Sequence, residues 1–153
     1  MARQGRIYAD FADSQWYAEP KRLARLGYLE ARREPGRTRA RTHYTLTESG
    51  RRALVEWAAR PASFSKLQLE PAWRLLAADI AGEDRVLESL RALRTELADL
   101  YARLELAESV APTIPHREKY LLLNHTLVRR ILDAHREWLD DVERELQPRR
   151  RRK

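Results

Sequence analysis

Residues 14–50 read SQWYAEPKRLARLGYLEARREPGRTRARTHYTLTESG, and this stretch decides the fold. Ser14 is a favourable helix N-cap. The residues after it split into an apolar side, Trp16, Leu23 and Leu26, and a basic side, Lys21, Arg22 and Arg25, until Gly27 stops the helix. Pro20 lacks an N–H and its ring disturbs the turn begun at Trp16, which predicts a kink or a late start. Residues 28–33 and 41–46 are short runs rich in strand formers, and between them Glu34, Pro35, Gly36, Arg37, Thr38 and Arg39 supply turn chemistry studded with arginine.

A short cationic helix followed by a basic hairpin is the layout of a winged helix. The functional reading of the helix turns Gln15, Tyr17, Lys21, Arg22 and Arg25 toward a nucleic acid, because Lys and Arg neutralise phosphates and Gln can bond base edges. The plain alternative is a solvated basic face. The hairpin weighs against it: from Lys21 to Arg41 there are eight basic residues and two acidic ones. A projecting loop with Arg37 and Arg39 two residues apart, flanked by Thr38 and Arg41, suits a wing on a sugar-phosphate backbone. After it, Thr47 reads as the N-cap of another helix with Glu48 in its first turn, Leu54, Val55 and Trp57 on its apolar side, and Pro61 at its end.

The order of these features resembles the PadR-like transcriptional regulators. The matching elements are Tyr17 on the recognition helix, Lys21-Arg22-Leu23 and Leu26-Gly27 at its end, the arginine-rich residues 37–41, and Tyr44-Thr45-Leu46-Thr47-Glu48-Ser49-Gly50 opening the next helix. The resemblance is specific over about 45 residues and looser beyond. It implies a dimeric DNA-binding repressor, relieved by small phenolic or aromatic effectors or by stress signals, with DNA contact carried onto Tyr17, Lys21, Arg22, Arg37 and Arg39. Such proteins place two further helices before the recognition helix, whereas 13 residues precede Ser14 here. A truncated winged helix-turn-helix is therefore expected, with Ile7, Tyr8 and Phe11 as an apolar anchor and Leu23, Leu26 and Leu29 short of cover.

From residue 64 the chain reads as helical. Residues 66–78 suggest a short helix opened near Pro71 and broken at Gly82. Asp84 then caps a long segment in which Val86, Leu90, Leu93, Leu97, Leu100 and Leu104 recur at spacings of 4 and 3. This heptad seam, about 28 Å long at about 1.5 Å per residue, is what two packed helices need. It serves either dimerisation or an internal antiparallel pair with the last helix, and a mixed dimer bundle is expected. Residues 109–115, SVAPTIP, reverse the chain. The last helix, from about 116 to 146, carries Tyr120, Leu123, Leu127, Ile131, Trp138 and Val142 as an apolar stripe, of which Leu127, Ile131 and Trp138 are assigned to dimerisation. Trp73, Tyr101, Tyr120 and Trp138 are either core residues or the lining of a cavity for a flat ligand.

Charge follows the same division. Residues 1–60 carry 13 Lys/Arg against 7 Asp/Glu, residues 61–147 carry 12 against 16, and residues 148–153 add five positive charges. A basic front joined to an acidic helical region reads as a polyanion-binding module with a partner domain, ending in a tail for phosphate attraction or solubility. The absence of cysteine removes disulfides and thiolate metal sites and suits the cytoplasm. No apolar run approaches the roughly 20 residues a membrane span requires. His43, His116, His125 and His135 are too scattered for a metal site, and no phosphate loop or nucleophile elbow is present, so neither catalysis nor a cofactor is expected.

The expected architecture is mainly α: residues 1–60 a winged helix with a β-hairpin wing, 64–147 a helical dimerisation region, 148–153 a basic tail. The expected function is a cytoplasmic homodimeric regulator of transcription on double-stranded DNA, away from membranes. The rival is a helical interaction protein that keeps a remnant wing without binding DNA.

Overall fold

The computed structural model describes residues 13–35, 40–64 and 69–146, and of residues 13–16 the backbone alone. These residues form two compact units, which divide in the segment between 64 and 69. The expectations for Ile7, Tyr8 and Phe11 and for the basic tail lie outside the described residues.

In the N-terminal unit, helix α1 (Asp13–Arg25) leads into strand β1 (Leu29–Glu34), strand β2 (Arg41–Leu46) and helix α2 (Glu48–Ala59). Helix α1 already includes Asp13, so Ser14 sits inside its first turn rather than at its cap, and Pro20 lies within the helix instead of delaying its start. Its end is built as Gly27 requires. Gly27 adopts φ +77°, a conformation cheap for glycine alone, while the Gly27 amide donates to Ala24 O (3.0 Å) and the Tyr28 amide to Leu23 O (3.0 Å). The chain thereby turns straight into β1.

The two strands pair antiparallel from Leu29 opposite Leu46 to Glu34 opposite Arg41. Alternation puts Leu29, Ala31, Arg33, Thr42, Tyr44 and Leu46 on one face and Glu30, Arg32, Glu34, Arg41, His43 and Thr45 on the other. Thr47 caps α2 as its residue type predicts. Its hydroxyl accepts from the Gly50 amide (3.0 Å) and donates to Gly27 O (2.7 Å), while its own amide donates to Tyr28 O (3.1 Å). Gly50 is buried because Tyr28 O occupies the space a side chain would fill: a Cβ there would stand 2.1 Å from that oxygen. Arg60, preceding Pro61, is extended and closes the helix. Leu54, Val55 and Trp57 are exposed, so the apolar side of α2 is not covered within the described chain.

In the C-terminal unit, α3 (Glu70–Leu76), with Pro71 in its first turn, and α4 (Ala78–Ala81) precede the long helices α5 (Glu83–Val110) and α6 (Pro115–Leu146). Gly82, at φ +94°, separates α4 from α5 and occupies the N-cap, so Asp84 lies within the first turn rather than capping it. The reversal is shorter than residues 109–115 suggest. Helix α5 runs through Val110, one turn of 3₁₀ helix spans Ala111–Thr113, and α6 begins at Pro115.

The α5 seam is closed by the chain's own last helix. Val86, Leu87 and Leu90 pack with Leu139 and Val142 in one cluster, Leu97 and Leu104 with Leu132 in another, and the half-buried Leu93 and Leu100 fill the same layers. Leu90, Leu104 and Leu139 are completely enclosed, each burial stabilising the unit by about 2 kcal/mol. Val86, Leu90, Leu97 and Leu104 are thus buried within the one chain, the internal pairing that their spacing also allowed. Trp138 is also half-buried against the first cluster.

Polar clasps flank the seam. Arg94 binds Asp140 (2.5 Å) and Glu143 (2.9 Å), Tyr101 donates to Asp133 (2.6 Å), and Arg129 binds Glu108 (2.7 Å). Burial and the bond to Asp133 push the Tyr101 phenol up, with the Arg136 guanidinium 5.6 Å above its ring. The hydrogen bond from Arg94 holds the Glu143 carboxyl below the usual carboxylate range.

Two measurements check this account. Gly50→Ala must displace the Tyr28 carbonyl, so it is expected to cost the N-terminal unit about 3 kcal/mol, read as amide exchange in α2 accelerated on the order of a hundredfold; unchanged exchange refutes the close approach. A depressed folded pKa stabilises above the unfolded carboxyl value of about 4.3, and that contribution disappears as pH falls through the folded value of Glu143. Acid should therefore lower the melting temperature of the wild type more steeply than that of Arg94→Met, and parallel pH profiles contradict the clasp.

Candidate nucleic-acid interface

Helical geometry brings part of the expected basic face together. Tyr17, Lys21 and Arg25 recur every four residues and form one exposed row down α1, with Ala18 beside them along a shallow groove. Tyr17 is 74% exposed. Leu23, opposite this row, and Pro20 and Ala24 on its flank are partly covered, and α1 packs against β1. Arg22 lies one position round the helix from the row, its Nε 2.9 Å from Glu19 Oε2 in an exposed ion pair. Part of its charge is thus matched within the helix. Ser14 and Gln15 occupy the first turns of α1, and their side chains lie outside the described residues, as do Arg37, Thr38 and Arg39 at the hairpin tip.

The hairpin adds groups not included in the sequence reading of the site. Arg33 projects from the face shared with Thr42 and Tyr44, whereas Arg32 projects from the opposite face with Arg41 and His43, and all three basic residues Arg32, Arg33 and Arg41 are exposed. Strand alternation applied to Arg32-Arg33 would have found both, since adjacent strand residues always point to opposite faces. Glu34 tempers the second face: its carboxylate stands 3.9 Å from Arg32 Nε and 3.3 Å from His43 Nε2.

These groups have the chemistry to meet a large anion. A point-charge lysine, a guanidinium and a phenol in one row can engage successive phosphates and base edges, and the arginines of the strands supply further donors from a rigid support. Arg22 and Arg25 in the last turn also sit where the helix dipole favours cations.

The C-terminal unit has two further features. A small apolar pocket of about 250 Å³ between α3 and α6 is lined by Leu69, Pro71, Ala72, Ala134, His135 and Trp138. Of the four aromatics considered for a ligand cavity, Trp138 alone lines it; Trp73 and Tyr120 are exposed and Tyr101 is engaged with Asp133, so the four do not converge. On α6, Tyr120, Leu123, Leu127 and Ile131 form an exposed apolar stripe, with Leu127 59% and Ile131 48% exposed. Among the described residues no helix is long and apolar enough to cross a membrane.

No protein-family model and no curated protein matches the sequence. Solved structures do match its fold. Bacillus subtilis PadR in complex with operator DNA aligns with a TM-score of 0.68 at 19% identity, over 94% of this chain and 82% of that one. The PadR-like transcriptional regulator BC1756 from Bacillus cereus aligns at 0.68 and 14% identity, over 90% and 80% of the two chains. The Vibrio cholerae virulence activator AphA aligns at 0.64 and 22% identity, over 94% and 80%. The chain has the winged-helix fold of these PadR-like regulators, with a two-stranded hairpin and long C-terminal helices.

Proposed function

We propose that this protein is a DNA-binding transcriptional regulator of the cytoplasm, and not an enzyme, working as a homodimeric repressor that occludes its operator. The observation that carries the reading is the exposed row Tyr17, Lys21 and Arg25 on α1, directly followed by an arginine-bearing hairpin, in a fold shared with a protein solved on operator DNA. In this reading α1 enters the major groove with Gln15 and Tyr17 at base edges, while Lys21, Arg22 and Arg25 meet phosphates. Arg37, Thr38, Arg39 and Arg41 lie along the flanking backbone as a wing.

The second copy joins through α6. The α5 seam is filled from within, and the exposed stripe of Tyr120, Leu123, Leu127 and Ile131 on α6 supports pairing there. Two recognition helices would then address successive major grooves about 34 Å apart, which makes the operator a near-palindrome. The apolar pocket between α3 and α6 suits a small, flat, uncharged effector rather than an ionic one.

The alternative, a helical interaction protein with a wing that no longer contacts DNA, draws on the uncovered apolar side of α2. Salt-dependent gel shift separates the two. Arg37→Ala with Arg39→Ala is expected to weaken binding to every duplex and to lower the salt slope by about 2, since each lost phosphate contact removes about 0.9. Gln15→Ala should instead change sequence preference. A salt slope shared by wild type and double variant removes the wing from the interface. For the dimer, Leu127→Glu with Ile131→Glu should yield folded monomers by sedimentation, whereas Leu97→Glu should unfold the C-terminal unit because that side chain is buried within one chain. A dimer that survives the α6 pair refutes this interface.

A further inference from the structure

The apolar stripe of α6 does not end at Ile131. Tyr120, Leu123, Leu127, Ile131, Ala134 and Trp138 follow one another at spacings of three and four, so they share one edge of the helix. The two ends of that edge differ in shape. At one end Tyr120 is 65% exposed, an aromatic ring left mostly in solvent. At the other, the small Ala134 opens the edge into the apolar pocket of about 250 Å³ that Leu69, Pro71 and Ala72 complete with His135 and Trp138. An apolar cavity of about 150 Å³ already holds a benzene ring. The lining also offers a phenol its polar partner: His135 Nδ1 donates to Ile131 O (2.8 Å), which leaves Nε2 of the neutral imidazole an acceptor.

A surface with a knob at one end and a hollow at the other complements itself only when two copies run in opposite directions, as a closed twofold pair of helices can. Centred on Leu127, such a pair is in register. Leu127 meets its counterpart, Leu123 meets Ile131 of the partner subunit, and Tyr120 meets Ala134 of the partner subunit. Charge agrees with shape. Lys119 and Glu137, both exposed, are eighteen residues or five whole turns apart and so lie on one flank of the edge. Antiparallel pairing brings like flanks together, which sets Lys119 beside Glu137 of the partner subunit twice in the dimer. Parallel pairing would set ring against ring and leave both pockets empty. We propose that the pocket between α3 and α6 is the socket of the dimer, filled by the ring of Tyr120 of the partner subunit with its hydroxyl donating to His135 Nε2. The proposal rests on the α6 interface given above and adds to it a direction, a register and a reciprocal pair of sites. It also ties the effector to assembly, because a flat ligand and the partner's Tyr120 need the same space and each excludes the other.

The chain has no cysteine, so introduced thiols report on the full-length protein without interference. Under mild oxidation with copper phenanthroline, Leu127→Cys should cross-link to its own copy, and so should Tyr120→Cys combined with Ala134→Cys. Tyr120→Cys alone should stay uncross-linked, its two copies lying about 21 Å apart along the pair at about 1.5 Å per residue. Sedimentation gives the second readout. Ala134→Phe fills the pocket from its own helix and should raise the dimer dissociation constant at least roughly tenfold, and adding Tyr120→Ala should bring it back to within about fivefold of wild type. Tyr120 and Ala134 are exposed in the protomer, so these variants keep their fold, which circular dichroism checks. Cross-linking of Leu127→Cys without that of the double cysteine variant, cross-linking of Tyr120→Cys to itself, or failure of Tyr120→Ala to rescue Ala134→Phe overturns the socket and leaves the α6 interface standing. A wild type that sediments as a monomer overturns the interface and the socket with it.

Discussion

The Thr47 hydroxyl lies between the carbonyl that follows one helix and the amide that begins another, donating to Gly27 and accepting from Gly50. Its position is possible because Gly27 takes a left-handed turn and because Gly50 has no side chain to collide with Tyr28. Three residues from separate parts of the sequence thus specify one junction. From it α1 departs in one direction, the hairpin in another and α2 in a third. The basic row on α1 and the arginines of the strands hold a defined relation to each other through this junction, since Gly50 is the sole fully buried residue among those described in the unit. Backbone geometry here does what a large apolar core does elsewhere.

The C-terminal unit is governed by a different constraint. A helix with leucines on a heptad repeat must cover them, and the nearest surface able to do so is the helix that follows after a tight reversal. Covering that face internally leaves α6 with a second apolar stripe on its outer side. An ordinary soluble helix has one such face. The two-faced character of α6 is therefore the structural reason to look for a partner there.

Much of this organisation was legible in the residues. Gly27, Thr47, Pro61 and Gly82 mark element ends through local backbone chemistry, and local chemistry is what a linear sequence carries. The α5 spacing was also legible, but not the identity of the helix that covers it, because a heptad repeat specifies an apolar edge and not whose edge meets it. Ser14 and Asp84 have the residue types of caps yet lie one or two positions inside their helices, since Asp13 and Gly82 begin those helices earlier. The aromatics Trp73, Tyr101, Tyr120 and Trp138 share a region of sequence without sharing a cavity, because helical rotation sends them to different faces. On the hairpin, the pairing of His43 with Glu34 depends on strand register, which no single strand reveals.

The clasps between α5 and α6 have a consequence for folding. Leucines repeated every seven residues look alike to a passing helix, so a hydrophobic edge alone tolerates translation by one repeat. Arg94, Tyr101 and Glu108 stand at that same interval on α5, but they are a cation, a phenol and an anion, and they meet carboxylates, a carboxylate and a guanidinium respectively. Sliding α6 by two turns would break all three of these pairs at once. The polar residues act as a vernier on the apolar scale, selecting one alignment of the hairpin from several that oil-like contacts would accept.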